Sequence, residues 1–412
     1  MPDSRLLPLW AGRTMALLGI LLVALNLRTA VASISPIVAE IGADIRLDSV
    51  ALGIIGAVPP IAFSFSALFG VLAAKRIGLE RLLALAIVAM IAGHLLRSVA
   101  ANFSVLLLGS VVALVGAGIG NVLLPPLVKR YFPDRIGLMT SLYVTLMSTS
   151  AAIPAALSAP IADSAGWRLS LAVWSALALT SLMPWVVVLL QHRRERAALT
   201  TADEAPELER PRPQLTGRIW HSKVAWTIAV VFALSSFHAY TMYAWLPRLL
   251  IDTAGVTSVQ AGALLALFGI IGVPASIIVP VLTVRLKNVS WLLQSGIAAF
   301  VFGYLGLLFL PTTATWLWVV LIGVGQLLFP ACLTLINVRS RTHDGSVALS
   351  GFVQAVGYAL AAPGPLVVAI LNGATGGWTA PIILLIVSAL ACTFAAARLA
   401  RPTFVEDDIR RD

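Results

Sequence analysis

The 412-residue chain is 59% hydrophobic and only 11% charged, more apolar surface than the core of a water-soluble protein can hide, so its solvent is lipid. Its formal charge of +10 does not imply nucleic-acid binding, because the Lys and Arg residues lie in short loops between apolar runs and not on one basic face of a soluble domain.

A membrane-crossing helix needs about 20 apolar residues. Twelve stretches qualify, beginning near positions 13, 49, 80, 103, 137, 167, 223, 257, 289, 314, 345 and 377. The first, from Arg13 to Glu40, is too long for a signal-peptide core and carries Asn26 and Arg28 at its centre, so it is expected to remain as a membrane helix. The second contains Pro59-Pro60, and the fourth contains Gly116, Gly118 and Gly120; such residues permit bending or close helix contact. After the sixth, Gln191 to Ser222 is charged and proline-bearing, the composition of a flexible linker. The expected fold is an all-α membrane protein of twelve transmembrane helices in two pseudo-symmetric six-helix bundles, residues 1–190 and 223–412, joined by a cytoplasmic linker at 191–222. Cys332 and Cys392 lie inside apolar runs without the spacing of a metal site or disulfide framework, and read as packing residues.

Lys and Arg favour cytoplasmic loops. With the N-terminus inside, all but five of the 28 basic residues fall in cytoplasmic segments; Arg46, Arg97, Arg168 and Arg248 are assigned to outer loops and Arg28 to a helix interior. A multi-pass protein of the inner (plasma) membrane with both termini cytoplasmic is the arrangement this skew predicts.

The two halves echo one another. Gly118-Ile-Gly120-Asn121-Val-Leu-Leu-Pro125 in the fourth span matches Gly323-Val-Gly325-Gln326-Leu-Leu-Phe-Pro330 in the tenth. Tyr143, Pro154 and Trp167 match Gln354, Pro365 and Trp378 at one constant offset, and Ser49-Val-Ala-Leu-Gly53 matches Ser258-Val-Gln-Ala-Gly262. Matches in the same helix order point to duplication, a common origin of transporter halves.

Twelve spans in two related halves with a long basic central loop resemble the major facilitator superfamily. Several segments are similar to its cyanate-transporter and nitroimidazole-exporter branch: Leu25-Asn-Leu-Arg28 with Ser33-Ile-Ser-Pro36, Gly120-Asn-Val-Leu-Leu-Pro125 with Lys129-Arg130, Phe132-Pro-Asp-Arg135, and Leu349-Ser-Gly-Phe-Val-Gln354 with Gly357-Tyr358. The sequence departs from the wider superfamily at Ala73-Ala-Lys-Arg-Ile-Gly78, where Lys75 takes a usually acidic position. The resemblance implies a secondary transporter of a small solute, with cyanate-like anions or small nitrogen heterocycles among the family's substrates. It also implies a cavity lined by the first, fourth, seventh and tenth spans, flanked by the second, fifth, eighth and eleventh.

Arg28 is the sharpest single feature. At 1.5 Å per residue it lies about 18 Å from either end of its run, too deep to reach water by extension. An Arg at mid-membrane costs about 3 kcal/mol on insertion scales and normally faces a polar cavity. Glu40, Asp163 and Asp252 sit at outer helix ends, so no carboxylate of the spans lies deep enough to neutralise it. Either Arg28 caps main-chain carbonyls or pairs with a neighbouring amide as an internal brace, or a bound solute supplies the missing negative charge or acceptor. The other candidate substrate-binding residues are Asn26, Asn121, Tyr143, His238, Gln326, Gln354 and Tyr358, whose amides, phenols and imidazole offer donors without the full desolvation cost of a charge; interhelical bonding is the competing use of each. Tyr240 ranks behind these. His238 is the one imidazole well inside a span and the candidate proton carrier, while His94, near an outer end, reads as structural.

No Gly-x-x-x-x-Gly-Lys-Ser/Thr loop occurs, which excludes direct use of ATP. Five scattered histidines and no deep carboxylate argue against an enzyme, and neither a cofactor nor a metal is expected. One deep Arg with two-fold repetition does not fit a channel, which would show rings of like charge. The expected partners are a small-molecule substrate, the lipid bilayer and protons, with no nucleic acid and the chain acting as a monomer. A broad-range exporter of neutral drugs is the alternative reading of the same scaffold.

Overall fold

The computed structural model describes residues 13–198 and 219–409. Within them, twelve helical stretches are long and apolar enough to cross a membrane, in chain order Thr14–Asp44, Ser49–Gly70, Leu79–Ser98, Phe103–Tyr131, Leu138–Ala165, Trp167–Gln191, Lys223–Ala254, Ser258–Arg285, Ser290–Phe309, Thr315–Val338, Gly345–Thr375 and Thr379–Arg398. They are numbered spans 1 to 12 below. The helix of span 6 continues to Ala198, and most of the expected linker, positions 199–218, lies outside the described residues.

The two halves carry the same clasp at corresponding places. Trp167 Nε1 donates to Asp44 at 3.0 Å, tying the start of span 6 to the end of span 1. In the second half Trp378 Nε1 donates to Asp252 at 2.9 Å, tying the start of span 12 to the end of span 7. An Arg joins each: Arg168 bonds Asp44, and Arg248 lies 3.7 Å from Asp252. The tryptophan match seen in the sequence is thus one side of a repeated tertiary contact.

Four spans are interrupted. In span 1 the helix Thr14–Asn26 stops at Leu27, a short helix covers Thr29–Ala32, a 3-10 turn Ser35–Ile37 follows, and Val38–Asp44 completes it. Pro36 accounts for the second interruption, since it lacks an N–H and its ring would clash with the carbonyl of Ala32 in a continuous helix. Span 8 breaks at Ile271, span 10 at Gln326-Leu327 and span 11 at Ala362, just before Pro363.

Close packing relies on missing side chains. A Cβ on Gly93 of span 3 would stand 2.4 Å from the backbone nitrogen of Ala113 in span 4, so these two helices touch main chain to main chain. Between the halves, a Cβ on Gly262 of span 8 would meet the Ala155 carbonyl of span 5 at 2.6 Å, and one on Gly53 of span 2 would meet Ala369 of span 11 at 2.6 Å. Ser35 also donates across to the Ala244 carbonyl at 3.0 Å. All these approaches lie toward the end of the bundle remote from the described chain ends. Cys332 and Cys392 are buried free thiols in the core of the second half.

Arg97, assigned from sequence to an outer loop, instead lies within span 3 and is fully buried between spans 1 and 4. It stands in the last turn of that helix, and packing carries that turn inside.

Overpacking a tight contact costs about 1–3 kcal/mol. Gly93→Ala is therefore expected to lower the thermal unfolding temperature of the detergent-purified protein, whereas Gly351→Ala, whose added Cβ meets nothing within 4 Å, should not.

Candidate functional site

Arg28 stands at the first break of span 1, with its backbone N–H turned to the Ser150 hydroxyl of span 5 at 3.1 Å. The break aims the side chain into the gap between the halves. Nη1 donates to the Tyr240 hydroxyl of span 7 at 3.0 Å. The guanidinium carbon lies 5.5 Å from the ring centre of Phe63, 5.6 Å from that of Tyr240 and 5.8 Å from that of Phe329. Three ring faces give partial compensation, each worth roughly 0.5–2 kcal/mol. Among the described residues no carboxylate pairs with Arg28, and no hydrogen bond runs from its side chain to a main-chain oxygen.

Arg28 opens on a cavity of about 70 Å³, measured as space for the centre of a water molecule. A single water needs about 10–15 Å³ by that measure, so a small solute or a few waters fit. Its walls come from spans 1, 5, 7, 8 and 10, and Arg28 is the one charged side chain among the described lining residues. The polar lining is otherwise neutral: Ser148, Ser235, Ser236, Ser276, Gln326 and the phenols of Tyr240 and Tyr243. Ser235 and Ser236 keep buried hydroxyls without a partner. Gln326, at the break of span 10, donates Nε2 to the Phe268 carbonyl at 2.9 Å, which fixes the amide so that Oε1 faces away from that carbonyl. A smaller cavity of about 30 Å³ lies beyond Tyr240 and Tyr243, which line both spaces. The two phenols form the partition.

The structure therefore brings together Arg28 and Gln326 of the candidates, with Tyr358 just behind. Tyr358 is buried, its ring edge-on to Phe63 at 5.7 Å and to Tyr240 at 6.1 Å, and its hydroxyl has no partner. Tyr240, ranked behind the others from sequence, is the side chain that bonds Arg28. The remaining candidates do not line the cavity. Asn26 is fully buried and donates to the carbonyls of Leu22 and Leu177, bracing span 1 against span 6. His238 turns the opposite way: Nδ1 meets the Tyr304 hydroxyl at 2.9 Å, Nε2 lies 3.4 Å from Ser388 Oγ, and the ring stacks on Phe300 at 4.5 Å. Its ring nitrogens do not face the cavity. Tyr143 packs on the core of the first half, and Gln354 donates to Ser350 one turn away at 2.9 Å. Asn121 is half-buried on an unbroken helix, whereas its counterpart Gln326 sits at a break, so equal spacing in sequence does not give equal placement.

Sequence reasoning missed the serines. Single hydroxyls are too common in membrane helices to stand out, and only the fold shows that Ser148, Ser235, Ser236 and Ser276 face one space.

A twelve-span bundle with an arginine-bearing cavity between two repeated halves defines a class, the multi-pass membrane transporters. Residues 16–362 match the model of the Major Facilitator Superfamily, and the chain belongs to that family. The chain is 34% identical over 391 residues to the uncharacterized transporter YycB of Bacillus subtilis (strain 168), covering 94% of each. It is 32% identical over 380 residues to the 2-nitroimidazole transporter of Escherichia coli (strain K12), covering 90% of this chain and 91% of that one. To the cyanate transport protein CynX of the same organism it is 25% identical over 364 residues, covering 88% and 91%. Among solved structures it resembles a bacterial homologue of the human lysosomal transporter Spinster, with a TM-score of 0.76 at 16% identity and coverage of 95% and 98%. It also resembles a D-xylose-proton symporter, with a TM-score of 0.71 at 14% identity and coverage of 96% and 99%.

The cavity assignment is checked by thiol labelling, for which the two buried native cysteines give little background. Ser148→Cys and Ser276→Cys are expected to react with a small water-soluble methanethiosulfonate in the purified protein, while Asn26→Cys and His238→Cys stay unreactive. Equal labelling of all four would mean that the cavity is wrongly drawn.

Proposed function

We propose that this protein is an alternating-access porter of the inner membrane that carries a small anionic or strongly polar solute, a cyanate-like anion or a small nitrogen heterocycle. The observation that carries the reading is the guanidinium of Arg28 in the inter-half cavity with no carboxylate partner. A unit negative charge about 4 Å from it gains roughly 4 kcal/mol at an effective dielectric of 20. That gain is comparable with the roughly 3 kcal/mol cost of placing an Arg at mid-membrane. The solute thus completes an electrostatic arrangement that the protein leaves open.

In this reading the solute's charge meets Arg28, the phenol of Tyr240 supplies a second donor, and the Oε1 of Gln326 with the serine hydroxyls matches a donor on the solute. Phe329 lines the cavity, and Phe63 backs the guanidinium from behind. The bundles 1–190 and 223–412 rock about this site, linked by 191–222. The basic loops set both termini in the cytoplasm. The larger cavity runs from Arg28 along spans 5, 8 and 10, while Gly53, Gly262 and Ser35 make close contacts between the halves near the opposite ends of their spans. The names of two relatives, a 2-nitroimidazole transporter and a cyanate transport protein, agree with the solute class.

A ligand that binds the folded state raises its stability by RT ln(1 + [L]/Kd), about 2.7 kcal/mol at one hundred times Kd. A thermal-shift screen should therefore show a concentration-dependent rise with cyanate or with a nitroimidazole, larger at pH values where the compound is ionised, and none with urea. Stabilisation by bulky neutral drugs alone would replace this reading with the neutral-drug exporter.

A further inference from the structure

We propose that Arg97 is a positioning residue, holding the broken stretch of span 1 from behind so that Arg28 faces the cavity. The inference rests on the reading of Arg28 as the anchor. Arg97 comes from span 3 and is completely buried. Its Nη2 donates to the Ala30 carbonyl at 3.3 Å and to the Ser33 hydroxyl at 3.2 Å. Both acceptors belong to the short stretch between the two interruptions of span 1, a helix of one turn. Arg28 is two residues ahead of Ala30 and anchored on the other side by its own N–H to Ser150. The short Thr29–Ala32 helix is therefore gripped by span 5 at one end and by Arg97 at the other.

The slot for Arg97 is built, not incidental. A Cβ on Gly109 of span 4 would meet Arg97 Cγ at 2.8 Å, so a glycine makes room for the side chain, while the tight approach of Gly93 to Ala113 fixes spans 3 and 4 around it. The arrangement is a poor device for stability. Nε and Nη1 are buried without a partner, and no carboxylate neutralises the charge among the described residues. Exchanging a buried, poorly compensated charge for an apolar side chain is commonly neutral or stabilising. A role in holding the segment predicts something different from a role in holding the fold: loss of Arg97 releases span 1 locally and leaves the rest intact.

Hydrogen–deuterium exchange of the unliganded, full-length protein tests this without requiring a ligand. In Arg97→Met, peptides covering residues 28–35 should exchange about tenfold faster than in the parent, with the other spans and the unfolding temperature unchanged or the latter raised. Arg97→Lys, which keeps a long stem and a charged donor, should restore much of the protection. Proteoliposome uptake of cyanate supplies the functional readout, with KM raised in Arg97→Met while the maximal rate falls less, and with Arg97→Lys closer to the parent. Unchanged exchange across 28–35 in Arg97→Met would overturn the proposal while leaving the anchor role of Arg28 standing. Exchange that rises throughout the molecule would overturn it as well, in favour of a purely structural role. If Arg97→Met does not fold, its buried charge stabilises the whole protein and the proposal falls on that ground.

Discussion

A single unneutralised guanidinium in the middle of the bilayer constrains everything around it. The protein meets the cost of Arg28 only in part, with one phenol bond and three ring faces from both halves of the molecule. Because Phe63 comes from the first half and Tyr240 and Phe329 from the second, the charge lies on the seam along which a porter of this family opens. A tighter solution, such as a buried carboxylate partner, would have saturated the group and glued the seam. Under the proposed function, leaving it under-satisfied keeps both binding and motion available.

The surrounding architecture is consistent with that requirement. The matched Trp–Asp clasps stiffen corresponding corners of the two bundles, while close contacts at glycine and a few single hydrogen bonds, such as Ser35 to the Ala244 carbonyl, join them. The interruptions in spans 1, 8 and 10 fall at residues that line the cavity or adjoin it, where freed main-chain groups lie beside polar side chains and not beside lipid. The fourth interrupted span, span 11, breaks at Ala362 just before Pro363, away from the cavity lining.

The fold was legible from the sequence because its signals are long and redundant. Twelve apolar runs, a basic central segment and repeated Gly, Pro and Trp positions all refer to the same two-bundle plan. Arg28 was legible for a different reason: its energetic cost at that depth demands an explanation from the sequence alone. Its partners were harder to read. Asn26 and His238 are as polar and as deep as Gln326, and only the rotation of each helix decides that the first two face neighbouring helices and the third faces the cavity. Likewise Arg97 looked like a loop residue by its place near a helix end, and helix packing put it inside. Depth is written in hydropathy; direction depends on how helices with little amphipathic bias turn against each other.

The most direct test of the central claim is the affinity of purified protein for cyanate and for 2-nitroimidazole by isothermal titration, compared among the parent, Arg28→Lys and Arg28→Ala. An anchor role predicts that Arg28→Ala loses at least about tenfold in affinity for the ionised ligand, worth roughly 1.4 kcal/mol, with Arg28→Lys intermediate because it keeps the charge but not the planar fork. Undiminished affinity in Arg28→Ala would contradict the account and leave the deep arginine without its proposed purpose.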